Sequence, residues 1–250
     1  MRLPWRNLGG YEDPYLRAPH RGDRRAQDRR GTPGRQGRLL FAYLVLNRLR
    51  PATRAELIEA LWPEHTPANP DSALSALLSK LRRLVELEGR SEVRLVLPDD
   101  AWVDVEAASE GIHFAESALV RGEPAAAYGP ARIAQHVGGR SFLRGEEAPW
   151  IEELRRRLEG IYLRSLELVA QASLEIGGSE IDTAGRTARS LIAAAPYRES
   201  GYRFLMEVLD AQGNRAEALR LYEQLRVLLR EELGASPSQA TQDVHRRLLA

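Results

Sequence analysis

Apolar positions fall along this chain in distinct rhythms, and each rhythm predicts an element. Leu39-Leu40-Phe41-Ala42-Tyr43-Leu44-Val45-Leu46 is apolar nearly all round, which predicts a buried, central helix over about 36–48. Thr53-Arg54-Ala55-Glu56 is a capping box, in which hydroxyl and carboxylate satisfy orphan amides reciprocally. A short helix carrying Leu57, Ile58, Leu61 and Trp62 follows it and stops at Pro63. Asn69-Pro70 supplies an N-cap and a proline at the first helical position, opening a third helix over about 70–87 that ends near Gly89. Its Leu74, Leu77, Leu78, Leu81, Leu84 and Val85 form one stripe at helical spacing. The rhythm then shortens. Val93-Arg94-Leu95-Val96-Leu97 and Ala101-Trp102-Val103-Asp104-Val105, with Pro98-Asp99-Asp100 as turn chemistry between them, predict a β-hairpin.

From about 107 onward every segment reads helical, and the pattern repeats. Gly122 is followed five residues later by Ala127, and Gly213 five residues later by Ala218. Ala184 precedes Ala218 by 34 residues, the tetratricopeptide period of paired helices, with a small residue where two helices must approach. The gap from Ala127 to Ala184 is 57 residues. The surplus predicts an extra stretch around Pro149-Trp150-Ile151-Glu152-Glu153-Leu154, feeding one long helix to about Ile176. The expected architecture is mainly α. A basic, poorly structured leader occupies 1–34, a winged helix-turn-helix with a β-hairpin 35–106, and a tetratricopeptide-like helical repeat domain 107–250.

Composition narrows the function classes. With 43% hydrophobic and 28% charged residues, the chain reads as an ordinary globular protein. The absence of cysteine excludes disulfides, a thiol nucleophile and Cys-ligated zinc. No apolar run approaches the roughly 18 residues of a membrane span. The N-terminus carries no apolar signal segment, so the expectation is a cytoplasmic protein with no membrane partner. The net charge of +1 conceals an asymmetry: 1–91 holds 17 basic and 10 acidic residues, the remainder 19 and 25. That split points to an anion-binding unit joined to a separate module.

The third helix carries the informative chemistry. Opposite its leucine stripe lie Ser72, Ser75, Ala76, Ser79 and Arg83, flanked by Lys80, Arg82 and Glu86. Small side chains let a helix backbone sit deep in the major groove, Ser can bond base edges or phosphates, and Ala can touch a thymine methyl. Lys80, Arg82 and Arg83 suit phosphates, as do Arg35 and Arg38 on the first helix and Arg94 on the expected hairpin. A solvated amphipathic face is the bland alternative, weakened by this helix standing third in a helix-helix-helix-hairpin order. Against DNA stands the expected hairpin tip, Asp99-Asp100, which phosphates would repel, with Arg94 the hairpin's only cation. Trp102 reads as a packing residue. There is no GxxxxGK[ST] loop, no GxGxxG after a strand and no HExxH, and the five His do not cluster with acids. The expectation is therefore no enzyme activity, no cofactor and no metal.

The stretches Gly34-Arg35-Gln36-Gly37-Arg38-Leu39-Leu40, Leu57-Ile58-Glu59-Ala60-Leu61-Trp62-Pro63, and Ala73-Leu74 with Ser79-Lys80-Leu81-Arg82-Arg83 resemble the OmpR/PhoB-type winged helix of the SARP-like (antibiotic regulatory protein type) transcriptional regulators. Ala194-Ala195-Pro196-Tyr197-Arg198-Glu199, the run 213–222, Glu231-Glu232-Leu233-Gly234 and Pro237-Ser238 resemble the bacterial transcriptional activator domain that follows it in that family. The resemblance implies a sequence-specific DNA-binding regulator, an activator. Its partners would be double-stranded DNA and, through the helical domain, RNA polymerase or another copy of itself. Two departures are visible. Residues 1–34 do not read as the small N-terminal sheet usual in the family. Asp71, Ser72 and Leu77 stand where the family often carries long polar readers. The alternative reading is a tetratricopeptide-type interaction adaptor whose winged helix no longer binds DNA.

Overall fold

A computed structural model of the chain describes residues 34–98 and 101–250. The expected leader, Gly34 apart, and the Asp99-Asp100 turn lie outside the described residues. The fold is mainly α, and the chain divides into two compact units. The first comprises the described residues through Ala101 together with Ser141–Leu154; the second comprises Trp102–Arg140 and Arg155–Ala250.

In the first unit the order is α1 (Arg35–Leu46), β1 (Ala52–Thr53), α2 (Arg54–Leu61), α3 (Pro70–Leu81), β2 (Glu86–Glu88) and β3 (Glu92–Val96). The strands form an antiparallel sheet in the order β1-β3-β2, with Ala52 opposite Val93 and Leu87 opposite Leu95. The expected capping box forms: the Thr53 side chain accepts from the Glu56 amide, and the Glu56 carboxylate accepts from the Thr53 amide at 2.7 Å. Asn69 caps α3 by accepting from the Ser72 amide at 3.1 Å. Leu40, Leu44, Leu57, Leu74, Leu78 and Val93 make a fully buried core. Removing large apolar side chains of this kind from water contributes about 1.5–3 kcal/mol each.

Two features differ from the expectations. First, the hairpin is not 93–97 with 101–105. β3 pairs instead with β2, which precedes it, and Asp104 begins a helix rather than continuing a strand. The third helix accordingly ends at Leu81, not near 87. The apolar residues Leu84, Val85 and Leu87 fit a 3.6 or a 2 period over so short a run, and the strand prevails because Leu87 faces Leu95 in the sheet. Gly89, expected as a helix stop, is the hairpin turn. Its φ is +79°, and a Cβ there would lie 1.9 Å from the Glu92 carbonyl oxygen, so only glycine fits. Second, Ser141–Leu154 belongs to the first unit, whose core takes in Ala148 and Ile151 with Phe142, Leu143 and Trp150 packed around them. The Trp150 indole N–H donates to the Ala60 carbonyl at 3.0 Å, and its ring meets Tyr43 edge-on at 5.4 Å.

The second unit is helical throughout: α4 (Asp104–Val120), α5 (Pro124–Gly138), α6 (Pro149–Ile176, from Arg155 onward), a 3-10 turn Gly178–Glu180, α7 (Ile181–Ala194), α8 (Glu199–Ala211), α9 (Arg215–Leu233) and α10 (Gln239–Leu249). Ala108, Ala115 and Ala118 of α4 and Ala127, Ala131 and Ala134 of α5 are completely buried, so the two helices approach closely. At Gly138 a Cβ would stand 2.8 Å from the Tyr162 amide nitrogen, which makes glycine obligatory where α5 meets α6. Ala184 and Ala218, at the 34-residue offset, are both fully buried. Ala218 shares a cluster with Ala188, Leu205, Met206, Leu209, Val244 and Leu248.

Candidate nucleic-acid interface

The candidate surface is the outer face of α3, and the core builds it. Burial of Leu74, Leu78 and Leu81 fixes the helix's rotation, so Ser72, Ser75, Ala76, Ser79 and Lys80 all face outward. Arg82 and Arg83 follow in the turn after the helix, also exposed, with the Arg83 amide donating to the Lys80 carbonyl. The surface is thus small and hydroxylic along the helix and cationic at its C-terminal end.

The sequence-selected residues separate by their partners. Among the described residues, no ion pair holds Arg38, Lys80 or Arg83, and no hydrogen bond holds the hydroxyl of Ser72 or Ser79. Arg82 donates to the Gly89 carbonyl at 2.5 Å, which ties the end of α3 to the hairpin turn. Arg94 pairs with Glu88 across the hairpin at 2.6 Å. Arg35 pairs with Glu146 at 2.7 Å. The Ser75 hydroxyl donates to the Asp71 carbonyl at 2.7 Å and accepts from Arg54 at 2.9 Å.

Two groups escaped sequence reasoning. Arg54 reaches α3 from the first position of α2, its Nε donating to Asp71 Oδ1 at 3.0 Å. The only local signal is its place in the capping box. Arg90 is the other. With the hairpin closing through Gly89-Arg90-Ser91, its tip carries an exposed arginine rather than two aspartates, and Arg94 is not the hairpin's only cation. Trp102, expected to pack, is 66% exposed. Behind the surface, the Thr53 amide and hydroxyl hold the Glu56 carboxyl below its ordinary range, aided by Arg50 at 2.9 Å. Burial, with the Glu56 charge, pushes the Tyr43 phenol up. Both groups therefore keep one protonation state through neutral pH. No group of three or more His, Asp or Glu among the described residues could hold a metal ion. Among the described residues, no helix is long and apolar enough to cross a membrane.

Comparison with known proteins adds the following. The bacterial transcriptional activator domain matches residues 103–249. The regulatory protein AfsR of Streptomyces coelicolor is 33% identical over 225 residues, covering 88% of this chain and 22% of that protein. The transcriptional regulatory protein EmbR of Mycobacterium tuberculosis is 26% identical over 239 residues, covering 88% of this chain and 58% of that protein. The solved structure of Mycobacterium tuberculosis EmbR in complex with a low affinity phosphopeptide has a similar fold, with a TM-score of 0.72 at 24% identity over 86% of this chain and 59% of that one.

Proposed function

The chain belongs to the bacterial transcriptional activator domain family, among the SARP-like transcriptional regulators, and from that premise we propose that its first unit is a winged helix-turn-helix that binds double-stranded DNA. α3 is the recognition helix and the β2–β3 hairpin the wing. The observation that carries this reading is the outer face of α3: small side chains turned away from a leucine core, running into Lys80 and Arg83, cations with no ion-pair partner among the described residues. Ser72, Ala76 and Ser79 let the backbone approach base edges, while Lys80, Arg83 and the wing-tip Arg90 meet phosphates. Arg38 supplies a further exposed cation on α1. Arg35, Arg82 and Arg94 hold the unit together instead. The helical unit is a tetratricopeptide-like stack through which the protein activates transcription, by meeting RNA polymerase or a second copy of the chain. The protein acts in the cytoplasm and has no enzymatic role.

The adaptor alternative draws on a degenerate leader and an acidic wing tip; Arg90 at the tip of the observed hairpin weakens the second ground and leaves the first as it was.

The test is the salt dependence of DNA binding by the full chain. Log affinity for duplex DNA should fall linearly with log salt, by about 0.9 for each phosphate contact. Replacing Lys80, Arg83 and Arg90 together with Ala should flatten that line by roughly 2 to 3. A chain that binds no duplex even at low salt refutes the proposal.

A further inference from the structure

Resting on the DNA-binding reading, we infer that Arg54 sets the base preference of α3 as a positioning residue, by fixing the first turn of that helix and the orientation of the Ser75 hydroxyl. A single guanidinium makes three bonds to α3. Its Nε donates to Asp71 Oδ1 at 3.0 Å, and one Nη donates to the Asp71 carbonyl and the Ser75 hydroxyl, each at 2.9 Å. The partners lie 17 and 21 residues away in the chain, so the contact joins α2 to α3 rather than stabilising a turn.

The consequence for recognition follows from hydroxyl valence. A serine hydroxyl has one proton and two lone pairs. The Ser75 proton is committed to the Asp71 carbonyl at 2.7 Å and one lone pair to Arg54. Ser75 can then only accept, which suits the amino groups of adenine or cytosine and not the acceptor-only edge of guanine. The Ser72 and Ser79 hydroxyls, with no hydrogen-bond partner among the described residues, keep both roles. Arg54 also answers a charge problem. The Asp71 side chain is 69% exposed in the first turn of the helix, where an uncompensated carboxylate would repel the DNA backbone. Arg54, only 28% exposed, neutralises it from the side of α2. Lysine could supply that charge but not the planar fork that makes all three bonds.

The experiment uses the full chain and a randomised duplex DNA library, with selection and sequencing for wild type, Arg54→Lys and Arg54→Met. Salt dependence is measured on the wild-type consensus duplex. The wild type should enrich a motif. Both variants should enrich a motif altered at the base pairs nearest Ser75; Arg54→Lys should keep the wild-type salt slope, whereas Arg54→Met, which uncovers the Asp71 charge, should also bind all duplexes more weakly. Arg54→Lys keeps the charge, so a shift in that variant isolates geometry from electrostatics. A slope lowered by about 0.9 with the motif intact would make Arg54 a phosphate contact and overturn the inference. So would an unaltered motif in both variants, or a uniform loss of binding with the motif intact in Arg54→Lys. If the wild type itself enriches nothing, the DNA-binding reading fails first and this inference falls with it.

Discussion

Arg35, in the first turn of α1, and Glu146, 111 residues further along the chain, form an ion pair at 2.7 Å. The carboxylate is largely buried, with 11% of its side chain exposed, whereas the arginine is 63% exposed. The pair therefore pins 141–154 to α1, and it takes a cation that sequence alone offers to DNA and gives it a structural partner. Arg35→Ala should leave the salt slope of DNA binding unchanged, whereas Arg83→Ala should lower it by about 0.9. Anisotropy titrations of the two variants at several salt concentrations decide this. Equal slopes for both would return Arg35 to the interface.

The same segment carries a larger stake at Trp150. Its ring contacts Tyr43 and Phe142, the latter edge-on at 6.2 Å, and its N–H satisfies the Ala60 carbonyl. Trp150→Ala removes the ring and leaves that carbonyl unpaired, so it should destabilise the first unit by about 3 kcal/mol. Urea unfolding followed by amide exchange in β1 and β3 measures it. A loss below about 0.5 kcal/mol, the usual range for surface substitutions, would mean the segment is merely draped over the unit.

These contacts show which parts of the molecule sequence can reveal. The capping box at Thr53 and the Asn69 cap are local, resting on residues three apart, and both form as the sequence indicates. The buried alanines at 184 and 218 were legible because a small residue recurs in the sequence at a 34-residue offset, and both positions are fully buried. The hairpin lies elsewhere than the sequence indicates because Ala101-Trp102-Val103-Asp104-Val105 has strand-like composition, yet β3 has its neighbours in β1 and β2, and Asp104 starts α4. Period alone could not choose between two flanking apolar runs; the φ of Gly89 does. The outer face of α3 was visible as a stripe. Which of the candidate contact residues have partners was not, because Arg54 takes Ser75, Glu88 takes Arg94 and Glu146 takes Arg35, pairings that periodicity does not encode.

Glu199 gives the second unit a dependence on acid. It sits in the first turn of α8 and accepts from the Ser238 amide at 2.9 Å and the Ser238 hydroxyl at 2.8 Å, tethering the start of α10. Partial burial opposes its charge, but the bonds from Thr241 and Ser238, with Arg203 nearby, prevail and hold its carboxyl below the ordinary range. A carboxyl depressed on folding stabilises fully above its unfolded value, near 4.3, and loses that contribution as pH falls through the lower folded value. Amides of α10 should therefore exchange faster as pH drops below about 4, after correction for intrinsic rates. In Glu199→Gln that acid-dependent increment should be absent. An increment of equal size in the variant would assign the effect to another carboxylate.

Ala218 tests whether the helical unit behaves as a stack. It is fully buried on α9, clustered with Leu205, Met206 and Leu209 of α8 and with Val244 and Leu248 of α10. One turn later Tyr222 packs on that cluster and stacks flat on His245, their rings 3.8 Å apart and 4° from parallel. Leucine at 218 has no space to enter without pushing α8 or α10 away, and overpacking of this kind costs about 1–3 kcal/mol. In a stack that cost falls on neighbouring interfaces, so α8 and α10 should loosen together. Two readouts follow. Amides of 205–209 and 244–248 should lose exchange protection in Ala218→Leu. The His245 ring protons, shielded by the Tyr222 face, should move toward their free-histidine shifts. The first unit has its own core around Leu40, Leu57, Leu74 and Leu78, so protection in β1 and β3 should not change. Equal loss of protection in both units would show that they unfold as one cooperative body, and the proposed division into a DNA-binding unit and a separable activator unit would have to be abandoned.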